Sequence, residues 1–468
     1  MKPCRIVLSR AAGLLMCLLA TGIVRGQDPR GAIIGRVTDQ TGAAVPGARV
    51  TVVHDATQVK LSTASNEVGN FLIPFVSPGV YTVSVEATGF KRTSRSGVQL
   101  RVGDVAEVNI VLEVGELTET LEVTSEAPLL ETASATLGHV VSGRQITELP
   151  LYAGNVTQEL TILAPGMVNP ISIIPPNYAP WNNFRAESSG NPDRSNDFSI
   201  DGVPNTFPNR GGNGVRPAFN PPTTAITEFK IETAFYDASV GHSMGASVNV
   251  ATKSGTNELR GGAHWFHKNS ALAAPTFFEN RIGARKAVWR YNRFGLDIGG
   301  PVRLPGYDGS NKTFFFYTYE GNLWAIPEPR TDTVPTAAQR TGDFSALLAL
   351  GSRYQIYDPF SAVPQPGGRL LRQPFPNNLV PRSLMDPVGV NMVQLYPMPN
   401  QPGTADGLNN YFTPAVASQD YGAHVGRLDQ VISANSRLFV RFHADDWLED
   451  QLRRLGPNNP ASGVKTGA

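Results

Sequence analysis

Residues 240–257 read VGHSMGASVNVATKSGTN, and within them Gly241-His242-Ser243-Met244-Gly245 fits the spacing G-x-S-x-G. In that pattern a sharp strand-to-helix turn presents a serine nucleophile for ester hydrolysis. The chemistry needs a buried strand entering the turn and a helix leaving it, within alternating strands and helices. After Gly245 comes Ala-Ser-Val-Asn-Val-Ala-Thr252, which alternates and is rich in β-branched residues, then Lys253-Ser-Gly-Thr-Asn257. A strand and a turn are expected there. Acids and histidines downstream leave a triad open on paper, so an esterase using Ser243 stays as a remote alternative.

Two other stretches imitate ligand sites. Asp197-Phe-Ser-Ile-Asp201-Gly202 opens like an EF-hand loop, but Pro208 stands at the twelfth position, where a bidentate glutamate is required. Lys253-Ser254 resembles the end of a phosphate-binding loop, yet no glycine directly precedes the lysine and no helix is expected after it. None of the seven histidines begins an H-x-x-E or an H-E-x-x-H, so the ligands of a zinc peptidase are missing. No catalytic residue, metal or cofactor is expected.

The elements that would position any site begin after an export signal. Lys2, Arg5 and Arg10 precede the apolar run Ala11–Ala20, and Val24-Arg25-Gly26 offers a cleavage site, so residues 1–26 are expected to form a signal peptide. The run is shorter than the roughly 20 residues of a spanning helix. Both cysteines, Cys4 and Cys17, lie within the signal segment, so the exported chain has neither disulfide nor thiolate site. Losing Lys2, Arg5, Arg10 and Arg25 moves the formal charge from +1 to −3. Forty basic residues balance 39 acidic ones, which argues against a nucleic-acid partner.

Residues 27–115 carry the period of half-buried strands. Tyr81-Thr-Val-Ser-Val-Glu86 and Glu107-Val-Asn-Ile-Val-Leu-Glu113 alternate, with Tyr81, Val83, Val85 and Val108, Ile110, Leu112 facing inward. Turn residues at Asp39-Gln-Thr-Gly42, Pro46-Gly47 and Ser77-Pro-Gly79 separate about seven strands, which suits a β-sandwich. The stretches GAIIGRVTDQTGAAVPGARVTV and NEVGNFLIPFVSPGVYTVSVEATGF resemble the carboxypeptidase regulatory-like domain, a transthyretin-like or carbohydrate-binding-like sandwich. Without zinc ligands, it is expected to be an accessory domain.

From 116 to 255 the texture is mixed α/β. Leu117-Thr-Glu-Thr-Leu-Glu-Val-Thr124 is an extended segment, and Asn155-Val-Thr-Gln158 looks like a helix capping box. Residues 165–223 are dense in proline, asparagine and glycine and are expected to form packed loops. After 256 the strands lengthen. Arg293-Phe-Gly-Leu-Asp-Ile298 sets Phe294, Leu296 and Ile298 opposite Arg293, Gly295 and Asp297. Arg437-Leu-Phe-Val-Arg-Phe-His443 sets Leu438, Val440 and Phe442 opposite Arg437, Arg441 and His443. Apolar outside with charge inside is the pattern of an outer-membrane barrel strand, although a soluble antiparallel sheet alternates likewise. Aromatic crowding in Lys312-Thr-Phe-Phe-Phe-Tyr-Thr-Tyr319 matches an interfacial girdle and favours the membrane.

An ordered set of segments resembles the plug and early barrel of TonB-dependent outer-membrane receptors of the Oar-like group. They are Val123-Thr-Ser-Glu-Ala-Pro128, Phe198-Ser-Ile-Asp-Gly-Val203, Ile226-Thr-Glu-Phe-Lys230, Gly241–Asn257 with Arg260-Gly-Gly-Ala-His264, Gly299-Gly-Pro301 and Asn311-Lys-Thr-Phe-Phe-Phe316. Asn377-Asn-Leu-Val-Pro381, Tyr396-Pro-Met-Pro-Asn400 and Arg427-Leu-Asp429 continue the series. The resemblance implies a mainly β protein: the sandwich, a mixed α/β plug over 116–255, and the first strands of an antiparallel transmembrane barrel over 256–468. A long proline-rich loop is expected at about 324–420. Barrels of the family have roughly 22 strands, so this chain is expected to stop within the barrel.

The resemblance also assigns roles. Leu117, Glu119, Leu121, Val123 and Thr124 form the candidate TonB-box-like strand, which would pair with an edge of a TonB-type energy-coupling protein; a plain linker is the other reading. Gly241, Gly245, Lys253, Ser254, Gly255, Thr256 and Asn257 would mark the plug–barrel junction. The implied function is outer-membrane transport, in a Gram-negative bacterium, of an unidentified small-molecule, peptide or glycan ligand, with membrane lipid around the barrel. The alternative is a cell-surface carbohydrate-binding or adhesion protein.

Overall fold

The computed structural model describes residues 30–115, 120–124, 137–149, 160–168, 187–188, 195–208, 215–234, 244–275, 277–281, 286, 288–327, 330–413, 416–433, 436–450 and 465–467. The signal-peptide segment and the Asn155–Gln158 capping box lie outside these residues. The chain divides into two compact units. The first comprises 1–263, 295–319 and 423–444, the second 264–294, 320–422 and 445–468.

The first unit begins with a sandwich of two sheets. Its strands are β1 (Gly31–Asp39), β2 (Arg49–His54), β3 (Lys60–Ala64), β4 (Asn70–Val76), β5 (Gly79–Glu86), β6 (Arg92–Leu100), β7 (Val105–Glu107) and β8 (Ile110–Leu112). One sheet has the order β4-β1-β7 with β8 also on β1; the other is β3-β2-β5-β6, extended at its edge by β9 (Thr120–Thr124). All six residues expected to face inward, Tyr81, Val83, Val85, Val108, Ile110 and Leu112, are buried and pack against Ile33, Val37, Val50 and Leu100. Burial of such side chains, each about 1.5–3 kcal/mol, holds the two sheets together.

The strand expected over 107–113 is split. Both β7 and β8 run parallel to β1, and between them the Asn109 side chain accepts from the Arg36 amide at 2.9 Å. Gly35 is required beside the break, because a Cβ there would collide with the Val108 carbonyl.

A second sheet comes next along the chain. It contains β10 (Leu137–Ser142), β11 (Asp197–Ile200), β12 (Val203–Pro204), β13 (Ile226–Ala234) and β14 (Ser247–Thr252), in the order β10-β13-β14-β11-β12. The helix α1 (Gly143–Glu148) starts at a capping box of Ser142 and Gln145. Its S-x-x-Q spacing is plain in the sequence, but no apolar run comes after it to mark a helix. The hairpin β11–β12 turns on Asp201 and Gly202, whose φ angles of 46° and 77° suit the Asp-Gly pair of a type I′ turn.

The third sheet has the order β15-β16-β17-β18-β19-β20, from β15 (Arg260–Asn269) through β16 (Arg290–Pro301), β17 (Thr313–Pro327), β18 (Val416–Ser433) and β19 (Ser436–Asp450) to β20 (Lys465–Gly467). Its five long strands, of 10 to 18 residues, each reach or exceed the 9–11 residues of a membrane crossing. Among the described residues the sheet does not close. The proline-rich insertion spans 328–415, narrower than the expected 324–420 because β17 and β18 extend into it. It is a built segment of the second unit. Asn378 is fully buried and bonds Tyr354, Gln355 and Ile356, while Arg340 donates to the carbonyls of Val393, Tyr396 and Pro397.

Candidate functional site

The G-x-S-x-G stretch does not build an esterase elbow. Gly241, His242 and Ser243 lie outside the described residues, and the chain continues from Gly245 into the strand β14, not into a helix. Gly245 is buried against Ser195 and Asn196, where a Cβ would not fit.

The strand alternation of the sheet is inside out. Leu296 and Ile298 on β16, Leu428 and Ile432 on β18, and Leu438, Val440 and Phe442 on β19 are exposed. Arg427, Arg437, Arg441 and His443 take the opposite face, as the alternation requires. In water such a face would be a liability, since a row of exposed large apolar groups seeks a partner phase. In lipid it is the required surface. The aromatic run divides by the same rule: Phe314 and Phe316 are buried, whereas Tyr317 is exposed and bonds His424 at 2.8 Å. Two of the five aromatic residues of the expected girdle therefore face inward. In the second unit the inward face is polar and paired, with Arg293 on Glu320 at 2.9 Å and Tyr291 on Asn322 at 2.8 Å.

Two inward arginines of the first unit, Arg427 and Arg441, converge on one carboxylate. Asp201, at the β11–β12 turn, lies 2.6 Å from Arg441 and 3.4 Å from Arg427, and all three side chains are at least 88% buried. Its oxygens also accept from the Thr252 amide at 2.8 Å and the Thr252 hydroxyl at 2.5 Å. Arg427 in turn grips Asp429 with Nε and Nη2, both at 2.9 Å, and lies 4.7 Å over the Phe439 ring. His443 stacks on Phe219 with centroids 4.3 Å apart, and Thr224 bonds Thr318 at 2.7 Å. The second sheet is thus latched to the strand wall by charge, stacking and hydroxyl contacts. The sequence places Asp201, Arg427 and Arg441 in recognisable segments, but not together.

A second cluster docks the sandwich onto the second sheet. Lys230 Nζ on β13 lies 3.3 Å from Asp104 and 3.5 Å from Glu232, and the Glu228 carboxylate accepts from the Val102 amide at 2.6 Å. Lys230, Asp104 and Glu228 are all buried. Phe229 and Ile231 on the other face of β13 are buried as well, so the strand has no solvated side and its charges must pair. The alternation Glu228-x-Lys230-x-Glu232 between apolar residues is the signal that could have marked this dock.

Burial pushes the Glu228 carboxyl above the ordinary glutamate range, with the Val102 amide, Arg101 and Lys230 pulling it back. The folded state therefore binds this proton more readily than the unfolded chain, and Glu228's contribution to stability falls as pH rises through that raised pKa. Glu228→Gln keeps an oxygen for the Val102 amide and removes the desolvated charge. It is expected to remain within about 1 kcal/mol of the parent and to flatten the slope, whereas Glu228→Ala loses about 1–3 kcal/mol by orphaning that amide. Urea unfolding over a pH series measures both; a Gln variant as damaged as the Ala variant would contradict the role given to the acceptor.

The expected junction residues connect β14 to β15. The Lys253 amide donates to Ala225 at 2.7 Å, the Asn257 amide to Ala56 of the sandwich at 3.1 Å, and the Asn257 and Asn311 side chains bond at 2.6 Å. Ser254 and Thr256 lie between these anchors, and Gly255 sits where a Cβ would collide with the carbonyls of Gly300 and Phe315. Of the candidate coupling strand, Leu117 and Glu119 lie outside the described residues. Leu121, Val123 and Thr124 fall in β9, which pairs in parallel with β6 from Arg92↔Thr120 to Ser96↔Thr124.

Residues 251–467 match the outer membrane beta barrel domain family, and residues 32–113 match the carboxypeptidase regulatory-like domain family. The chain is 26% identical over 353 residues to the TonB-dependent transporter Oar of Myxococcus xanthus, an alignment covering 72% of this chain and 32% of that protein. It thus spans about a third of the length of that relative. Two solved structures are similar at low identity. The outer membrane transporter YddB of Escherichia coli is 11% identical over 68% of this chain and 34% of its own, with a TM-score of 0.41. The siderophore receptor PirA of Acinetobacter baumannii is 14% identical over 71% and 35%, with a TM-score of 0.36.

Proposed function

We propose that this chain, a homologue of the TonB-dependent transporter Oar bearing an outer-membrane β-barrel domain and a carboxypeptidase regulatory-like domain, acts in energy-coupled uptake or reception of a small ligand. The barrel domain places it in the outer membrane of a Gram-negative bacterium. The role is non-enzymatic, and the ligand is a small molecule, peptide or glycan. The observation that carries the reading is the inside-out strand wall whose inward arginines hold Asp201 of a separate sheet, the arrangement of a plug within a barrel.

The coupling step uses β9. It ends its sheet, and its far edge has no partner strand among the described residues, so a TonB-type protein can extend the sheet there by β-augmentation. A pull on β9 would pass through β6 and the sandwich to Asp104 and Val102, then across the buried dock to β13 and the plug. In this reading the sandwich is a lever, which an adhesion module tethered for carbohydrate binding does not need to be.

Leu121→Pro removes an amide donor from β9. It is expected to weaken binding of the purified periplasmic domain of a TonB-type protein by at least about tenfold, one ladder bond and its register being worth about 1.4 kcal/mol or more. The chain should stay in the outer-membrane fraction after urea extraction. Recovery of the parent chain in the soluble periplasm would overturn the membrane reading, and undiminished binding by the proline variant would overturn the assignment of the coupling strand.

A further inference from the structure

A cavity of about 490 Å³ opens between β3, β4 and the start of β19. Two guanidinium groups, Arg30 and Arg437, line it together with Ser62, Thr63, Leu72 and Phe75, and none of its described lining residues is acidic. Like charges sharing one cleft repel, and burying a guanidinium without a partner is costly. Arg437 bears that cost directly, since its Nη2 is buried with no hydrogen-bond partner among the described residues. The opposite wall is strained. Phe75 holds a φ of 58°, in the left-handed region that bulky residues avoid, and its ring is exposed with Arg30 stacked 5.0 Å from its centroid. A cleft with two cations, the three hydroxyls of Ser62, Thr63 and Ser436, and an apolar floor, in the size range of small-molecule sites, is complementary to an anion attached to an apolar body.

We propose that this cavity binds the phosphate group of an anionic amphiphile. The site lies where such a group is available. Arg437 is the first inward residue after the two-residue connection from β18 to β19, and Leu438 beside it begins the exposed apolar column of β19. Short connections of outer-membrane barrels face the periplasm, so the cleft stands at the level of the inner-leaflet headgroups, and the phosphodiester of an acidic phospholipid is the source. That source rests on the barrel reading; the anion site does not.

The full chain in dodecyl maltoside micelles would be titrated with dihexanoyl phosphatidylglycerol and, separately, with inorganic phosphate, both followed by ³¹P NMR. Saturable one-to-one binding of the lipid is expected, weakened about tenfold by Arg437→Gln and by Arg30→Gln, for the loss of one charge-assisted bond. Arg437→Lys should retain most of it, and Arg303→Gln, on an exposed hairpin, should change nothing. Circular dichroism of each variant separates lost binding from lost folding. Inorganic phosphate binding as tightly as the lipid would keep the anion site and assign it to a soluble phosphate. Failure of both probes to saturate, or lipid binding indifferent to both arginine substitutions, would overturn the proposal.

Discussion

Asp201→Ala is expected to cost about 3–5 kcal/mol, because it leaves Arg441 as a buried cation without its carboxylate, takes from Arg427 one of its two carboxylates and leaves the Thr252 amide and hydroxyl without their acceptor. The turn adds to this. At a φ of 46° alanine meets a steric penalty of about 1–2 kcal/mol, which asparagine escapes. Asp201→Asn therefore separates charge from conformation: it keeps the turn and one acceptor but leaves Arg441 without a carboxylate and Arg427 with Asp429 alone, so it should fall between the parent and the alanine variant. Thermal unfolding in detergent, followed by near-ultraviolet circular dichroism, measures the series. Equal stability of all three chains would show that the arginines find other partners and that the latch is not held by Asp201. Reversing the pair at one position, with Arg441→Asp, should be worse still, since it sets two carboxylates against each other.

Lys230→Met is expected to lose about 3–5 kcal/mol at neutral pH, with its aliphatic stem retained and its charge gone. Asp104 and Glu232 would then face each other as buried acids, with Glu228 beside them. Lowering the pH protonates Glu228, whose carboxyl burial holds above the ordinary glutamate range, and should recover part of the loss, the opposite of the usual acid sensitivity of a protein. Freed from its dock, the sandwich should also separate from the second sheet. Two glutamates, at 126 and 131, lie between β9 of the sandwich and β10 of the second sheet, so a glutamate-specific protease reads this directly. The variant should be cut there faster than the parent, with the sandwich released together with β9. Unchanged cleavage and an unchanged midpoint would mean that apolar packing alone holds the sandwich in place.

How much of the fold and of the site was legible in the sequence depends on how local each signal is. The inward sets Tyr81-Val83-Val85 and Val108-Ile110-Leu112 depend only on the period of a strand, and they hold even though the second strand is broken at Val108–Asn109. The outward column Leu438, Val440, Phe442 and the inward column Arg437, Arg441, His443 obey the same period. The aromatic run at 312–319 misleads because its composition is more conspicuous than its alternation; the pleat sends Phe314 and Phe316 inward whatever their hydrophobicity. The G-x-S-x-G pattern is resolved by its neighbours, since β-branched alternation after Gly245 cannot continue as the required helix.

The alternating strands and their faces were legible in the amino-acid order, because they are set by contacts within a few residues; the Asp201-Gly202 turn, whose letters open like a calcium loop, was not. The amino-acid order also supplied every charge that matters. Which charges meet depends on the fold: Asp201 finds Arg427 and Arg441, more than 200 residues further on, and Lys230 finds Asp104, 126 residues back. Such pairs have no period and no spacing. They form where strand register and sheet packing bring two buried faces together, and the low dielectric there makes pairing obligatory.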